Sequence, residues 1–288
     1  MSQSAAMAVT AAALFGAAVV IAKLGFRHIP ATLGASLSIP STAVMLWCLA
    51  PFFLEPASAN AAATGVFALV GLVFPAAVTL LVFNATDRMG PTISNSVSST
   101  APMFAILAAV IFLGESLTPG RLAGAIGIVL GIIALSWDEK SRPREWPVRM
   151  LLLPLSAAVI RGGALALTKF GLDLWHSPFA AGLIGYTVSA AVVLGATRFS
   201  AAGRAPVAYS KALPWFAAVG LLNGAAVLLT YAALGKGDVG IVSPIVATSP
   251  LFTLASSTLF FRQEKLTARL AIGAGVTVAG VVLLITAG

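Results

Sequence analysis

Long apolar runs alternate with short polar breaks along the whole chain. Ten such runs stand at roughly 5–24, 31–54, 62–85, 91–113, 119–137, 150–172, 177–198, 211–234, 239–261 and 267–287. A helix rising about 1.5 Å per residue needs about 20 apolar residues to cross a bilayer core. The pattern therefore predicts ten membrane-spanning helices joined by short connections. The longest polar stretch, Asp138 to Arg149, falls between the fifth and sixth runs and reads as a linker.

The chain also says nearly the same thing twice. Residues 115–131 and 264–280 share Glu115/Glu264, Leu117/Leu266, Thr118/Thr267, Gly124/Gly273 and Gly131/Gly280. Upstream, Pro102-Met103-Phe104 matches Pro250-Leu251-Phe252. Gly16 and Lys23-Leu24-Gly25 match Gly162 and Lys169-Phe170-Gly171. An internal repeat decides the architecture before any single element does. Here it divides the chain into 1–137, a linker over 138–149, and 150–288. Five spans per repeat is an odd number, so the second copy enters the membrane inverted relative to the first. The expected fold is an all-α membrane protein, ten transmembrane helices as two inverted five-helix repeats.

Composition sharpens this picture. Of 288 residues, 59% are hydrophobic and only 9% charged, and the mean hydropathy is +1.00. Soluble domains carry about 25% charge, so no large soluble domain fits. The net charge of +8 does not argue for nucleic acid, because the basic residues sit in connections and beside the spans. There they set topology. Thirteen Lys and Arg, among them Lys23, Arg27, Arg88, Arg149 and Arg198, fall on one side, against Arg121, Lys169 and Lys236 on the other. The basic side is expected in the cytoplasm, with both termini extracytoplasmic, in a multi-pass protein of the inner (plasma) membrane. The first residues lack the basic region of a cleaved signal, so the first span is expected to be retained. Cys48 stands alone in an apolar run, which excludes a disulfide or cysteine metal site.

The repeat resembles the EamA-type branch of the drug/metabolite transporter superfamily. The residues that carry the match are Pro102 to Gly131 and Pro250 to Gly280: a Pro-containing span, a short turn ending in Glu, then Leu-Thr and a Gly-rich span. Gly16 with Lys23 and Gly162 with Lys169 add to it. Two positions depart: Phe15-Gly16 and Arg161-Gly162 replace the Trp-Gly of the family's first span, and the second span has Ser36, Ser38 and Pro40 where the family has an Arg. The resemblance implies ten helices in two inverted repeats. It also implies secondary transport of amino acids or related metabolites, usually exported.

Arg161 is the sharpest clue to the chemistry. It falls near the middle of the sixth run, where an ionisable group is costly and marks function by default. The alternative is a later helix start, with Arg161 snorkelling to the interface. All nine carboxylates lie in connections or at span ends, so none is placed to neutralise it. A carboxylate, phosphate or carbonyl on the substrate suits a guanidinium; a purely cationic substrate is repelled. Lys23 and Lys169, equivalent in the repeat, are either gate or access residues or interfacial snorkels.

The fourth span opens with a polar run in which Thr92, Asn95, Ser96 and Ser99 share a helical face, and the ninth offers Ser243, Thr248 and Ser249. Pro102 and Pro250 are expected to act as helix hinges in these spans, freeing backbone carbonyls that line a cavity. The rival reading is that small polar residues glue helices together. Asn84, Asn223, Tyr186 and Tyr231 are further lining candidates. Glu115 and Glu264 precede Leu-Thr and a new span, where a carboxylate suits a helix N-terminus and Thr118 can cap it.

The substrate-contact set is thus Arg161, Asn95, Ser96, Ser99, Asn84, Tyr231 and Thr248. No catalytic dyad, metal cluster or nucleotide fingerprint is found, so no enzyme activity, metal or cofactor is expected. The partners are a small-molecule substrate and the lipid bilayer, with no nucleic acid, and the chain is expected to be a monomer. The rival functions are a multidrug exporter, or a channel or lipid-flipping protein.

Overall fold

Each of the ten predicted spans is helical in the computed structural model of the chain, which describes residues 2–55, 59–89, 91–136, 147–199, 209–261 and 268–287. Most of the linker, together with Glu264 and Thr267, lies outside the described residues. Six spans are single helices: α1 (Gln3–Gly25), α2 (Ala31–Phe53), α7 (Pro119–Ser136), α9 (Pro178–Phe199), α10 (Tyr209–Leu234) and α13 (Ala268–Thr286). The sixth span is α8 (Leu152–Leu174), entered through a 3₁₀ turn over Val148–Leu151. Eight helical stretches are long and apolar enough to cross a membrane, and Pro119–Leu135 and Leu270–Thr286 are shorter apolar helices.

The remaining three spans are broken, and proline stands at each break. The third, predicted as continuous, divides into α3 (Ala61–Val73) and α4 (Ala76–Met89). Phe74 is extended there, with φ −136° and ψ 131°, as the residue before a proline prefers. The Ala76 N–H left over at the start of α4 donates to Ser189 Oγ of α9 at 3.1 Å. The fourth span divides into α5 (Pro91–Ser98), α6 (Ala101–Ala108) and a π-helical turn over Ala109–Leu113. The ninth divides into α11 (Val239–Val246) and α12 (Ser249–Phe261). Pro102 and Pro250 each stand at the second residue of the helix beyond the break, where a missing N–H costs least.

The two repeats interdigitate, and equivalent glycines make close contacts across the repeat boundary. A Cβ on Gly16 of α1 would lie 2.8 Å from Ser249 O and from Thr253 N, and 2.6 Å from Phe252 Cβ. A Cβ on Gly162 of α8 would lie 2.7 Å from Ala101 O, 2.6 Å from Ala105 N and 2.8 Å from Phe104 Cβ. These are the same three positions in the two repeats. Gly25 meets the ring of Phe216 as Gly171 meets that of Phe67. Small residues let helices pack closely where lipid offers no hydrophobic drive to do so. The outer surface is apolar instead: Phe52 and Phe112 are each 79% exposed, a cost in water but not in lipid.

The Gly-rich helices α7 and α13 pack along their length. A Cβ on Gly124 would stand 2.7 Å from Leu284 N and 2.8 Å from Gly280 O, both backbone atoms that no rotamer change can move. At Gly275 nothing lies within 4 Å. Gly124→Ala is therefore expected to lower the melting temperature, with a cost of about 1–3 kcal/mol from overpacking. Gly275→Ala leaves it unchanged or raises it, because alanine is the better helix former by about 1 kcal/mol. Thermal unfolding of the two variants in detergent checks the contrast.

Candidate functional site

The helix ends sort into two faces. Gln3, Glu115, Asp238 and Ala287 lie on one, here the terminal face, where polar bonds join the two repeats. The other, the linker face, carries the ends of α1 and α7 and the starts of α8 and α13. Between them lies a cavity of about 560 Å³. Its walls come from both repeats: α1, α4, α5, α6, α7, α8, α11, α12 and α13 all contribute.

Arg161 lines this cavity. It is the tenth residue of α8, roughly 14 Å along the helix axis from its start, so it stands at depth and not at an end. The sequence alternative of an interfacial side chain required a later helix start; α8 instead begins at Leu152. Gly162, the next residue, sits against Ala101, Phe104 and Ala105 of α6, and this contact sets the rotation of α8. Arg161 remains partly accessible, through the cavity. Among the described residues, no Asp or Glu lines the cavity and Arg161 has no ion pair. Tyr186, buried in α9, is its electrostatic neighbour, and Tyr231 is in turn a neighbour of Tyr186.

Hydroxyls surround the guanidinium's cavity. Ser98, Ser99, Ser243, Ser249 and Thr253 all line it. Ser99 Oγ donates to Ser96 O at 2.7 Å and Thr253 Oγ1 to Ser249 O at 3.2 Å. Ser98 Oγ is buried without a hydrogen-bond partner, and such a group costs about 1–3 kcal/mol unless something pairs with it. The prolines add acceptors. Pro102 and Pro250 have no N–H to offer the carbonyls of Ser98 and Val246, four residues earlier in each repeat. Ser98 and Val246 both line the cavity. Val19, Val82, Ile132, Leu135 and Leu254 supply an apolar wall.

Of the residues expected from sequence, the cavity brings together Arg161, Ser99, Ser243, Ser249, Pro102 and Pro250. Others stand elsewhere. Asn84 is exposed on α4, its Nδ2 donating to Leu80 O at 3.0 Å; the break at Phe74–Pro75 resets the register of this span, and Val82 faces the cavity instead. Tyr231 is buried in the core, near Thr168. Thr248 is buried at the break of the ninth span, where its Oγ1 donates to Ile245 O at 2.6 Å. Ser96 Oγ is buried and unpartnered but not in the cavity wall. The side chain of Asn95 lies outside the described residues. Lys23 is exposed in the last turn of α1, and Lys169 pairs with Asp173 at 3.0 Å; neither lines the cavity. A continuous fourth helix puts Ser98 off the polar face. The break at Ser99–Thr100 brings it back.

On the terminal face the repeats are bonded together. Glu115 comes directly after Gly114, whose φ of 67° turns the chain out of the fourth span. Its carboxylate does not serve the next helix in its own repeat. It accepts from Val239 N at 2.7 Å and Gly240 N at 3.0 Å, the first N–H groups of α11 in the other repeat. Burial pushes the Glu115 carboxyl up from its ordinary range, and the bonds from Gly240 and Val239 pull it back. Arg121 Nη1 pairs with Asp238 at 3.1 Å. Thr118 Oγ1 accepts from Arg121 N at 3.2 Å, capping α7, and donates to Ala287 O at 2.9 Å. Lys236 Nζ donates to Gln3 Oε1 at 3.1 Å.

The sequence profile of the EamA-like transporter family matches residues 3–137 and 148–286, one copy per repeat. A solved structure described only as "Crystal structure of protein" superposes with a TM-score of 0.83 at 17% identity, covering 100% of this chain and 98% of that one. At that identity the likeness shows the fold alone. No curated protein matches the chain.

Proposed function

Because the chain belongs to the EamA-like transporter family, a family of membrane transporters, we propose that it exports a small metabolite bearing a carboxylate, an amino acid or a related compound, by alternating access. The observation that carries this reading is a guanidinium at mid-span that lines a cavity with hydroxyl side chains and, among the described residues, no acid. A carboxylate supplies what the guanidinium lacks. The carbonyls of Ser98 and Val246 are acceptors for an ammonium, and the apolar wall suits a neutral side chain. The site is in an inner (plasma) membrane, the linker face is cytoplasmic by its excess of Lys and Arg, and export runs from that face to the terminal face. A monomer is sufficient, since both repeats that wall the cavity are in one chain. The chemistry is binding and release, not bond making.

The same cavity weighs against a multidrug exporter of hydrophobic cations, which Arg161 repels. Uptake into proteoliposomes tests the proposal. Neutral apolar amino acids are expected to show saturable flux, with methyl esterification of the carboxylate weakening competition at least tenfold. That factor is about 1.4 kcal/mol, at the low end for a hydrogen bond to a charged group. Flux that does not saturate points to a channel. Flux only of phosphorylated compounds or of hydrophobic cations overturns the amino-acid reading.

A further inference from the structure

Alternating access requires one face to close while the other opens, and the contacts between repeats tell the two faces apart. The cavity reaches from Arg161 and Ser243 at mid-span towards Val19, Leu135 and Leu270, near the linker-face ends of α1, α7 and α13. None of Glu115, Arg121 and Asp238, which are bonded together on the terminal face, lines it. We propose that Glu115 is the latch of the terminal face: its carboxylate holds the N-terminus of α11, keeps the cavity closed on that side, and must let go before substrate can leave there.

The geometry fits a latch better than a cap. A helix N-terminus presents unsatisfied N–H groups and partial positive charge. For α11 the adjacent Asp238 would ordinarily meet this need, yet it makes no capping bond. It turns to Arg121 of the other repeat instead, and Glu115, also of the other repeat, takes both N–H groups. The carboxylate contacts of this end of α11, Glu115 to Val239 and Gly240 and Asp238 to Arg121, therefore cross the boundary that must part. The other end of α11 reaches the cavity, where Ser243 and Val246 line it. One eight-residue helix thus joins the latch to the substrate site and carries a push from one to the other.

Two further features fit. The latch is not held at any cost: burial and the neighbouring Asp238 work against the Glu115 carboxylate, while the bonds from Gly240 and Val239 and the charge of Lys169 favour it. Opposed contributions leave a closure that can be released. The second repeat also lacks the parts for an equal latch on the linker face. At matching distances from Pro102 and Pro250, Gly90 and Pro91 stand in place of Asp238 and Val239. Leu270 stands as far from Glu264 as Arg121 does from Glu115. The ion pair and one N–H donor are missing from that set, so the terminal face is the one closed at rest.

Thiol labelling tests the latch without any substrate, so its outcome is independent of the amino-acid reading and rests only on alternating access. Cys48, which is exposed, is replaced by serine, and Ala8→Cys is the reporter. Ala8 is wholly buried on α1, a helix that packs against α11. The purified protein in nanodiscs is treated with a water-soluble methanethiosulfonate. Glu115→Ala is expected to speed modification about 10- to 100-fold, the range for losing a hydrogen bond to a charged group. Glu115→Gln, which keeps one acceptor oxygen, gives a smaller rise. An unchanged rate in a normally melting Glu115→Ala overturns the proposal. Should that variant fail to fold, Glu115→Gln decides: faster labelling supports the latch and an unchanged rate overturns it.

Discussion

Replacing Arg161 with alanine is expected to reduce transport of a carboxylate substrate by roughly 10- to 100-fold in kcat/KM, while the melting temperature holds or rises. The two halves of this result have separate causes. A hydrogen bond between charged partners contributes about 1.5–3 kcal/mol, and Arg161 brings a charge to the wall of the cavity. Its loss leaves the substrate carboxylate facing hydroxyls alone. Stability moves the other way because a charge at mid-span costs about 2.5–3.5 kcal/mol. Among the described residues, no other charged side chain lines the cavity and Arg161 has no ion pair to offset that cost. A side chain kept for packing would lose both stability and activity when removed. A residue that destabilises the fold and serves the substrate separates the two. Arg161→Lys gives the finer test: it keeps the charge but loses the planar two-pronged donor, so an intermediate rate marks bidentate recognition. Flux indifferent to both substitutions removes Arg161 from the substrate path. Initial-rate uptake and thermal melting of the three proteins supply both readouts.

Much of this architecture is legible in the sequence because lipid makes it so. A backbone in hydrocarbon must satisfy itself, so apolar run length translates into helices, and the ends of all ten predicted spans fall close to those of the helices observed. The repeat is legible because the same close approach is needed twice: Gly16 and Gly162 pack against equivalent residues of the two broken spans. The register beyond a break is not legible. Predicted faces assume an unbroken helix, and the interruptions at Phe74–Pro75 and at Ser99–Thr100 rotate the helical segment on one side relative to the other. Asn84 and Ser98 exchange roles for that reason. Partner choice at a span end is hidden too. Glu115 reads as serving the helix it precedes, and only the folded chain shows its carboxylate on α11, 124 positions further along.

Gly162→Ala is expected to abolish transport where Gly163→Ala, one residue away, leaves it intact. The reason lies in what the added methyl meets. At Gly162 it would stand 2.6 Å from Ala105 N and 2.7 Å from Ala101 O. Both are backbone atoms of a helix, so α8 and α6 must move apart, at about 1–3 kcal/mol. At Gly163 nothing lies within 4 Å, and the change only improves helix propensity. Moving α8 displaces Arg161, which directly precedes the contact, and α6 begins at the break that supplies Ser98 and Ser99 to the cavity wall. The clash therefore strikes both sides of the site together. The equivalent substitution Gly16→Ala drives α1 from α12, with 2.8 Å to both Ser249 O and Thr253 N. Ser249 and Thr253 are themselves cavity residues. Both variants should therefore lose flux while retaining helical circular dichroism, and Gly163→Ala should match the wild type. Normal flux in Gly162→Ala would mean that the two helices already part there during transport, and that the close packing belongs to one state of the cycle only.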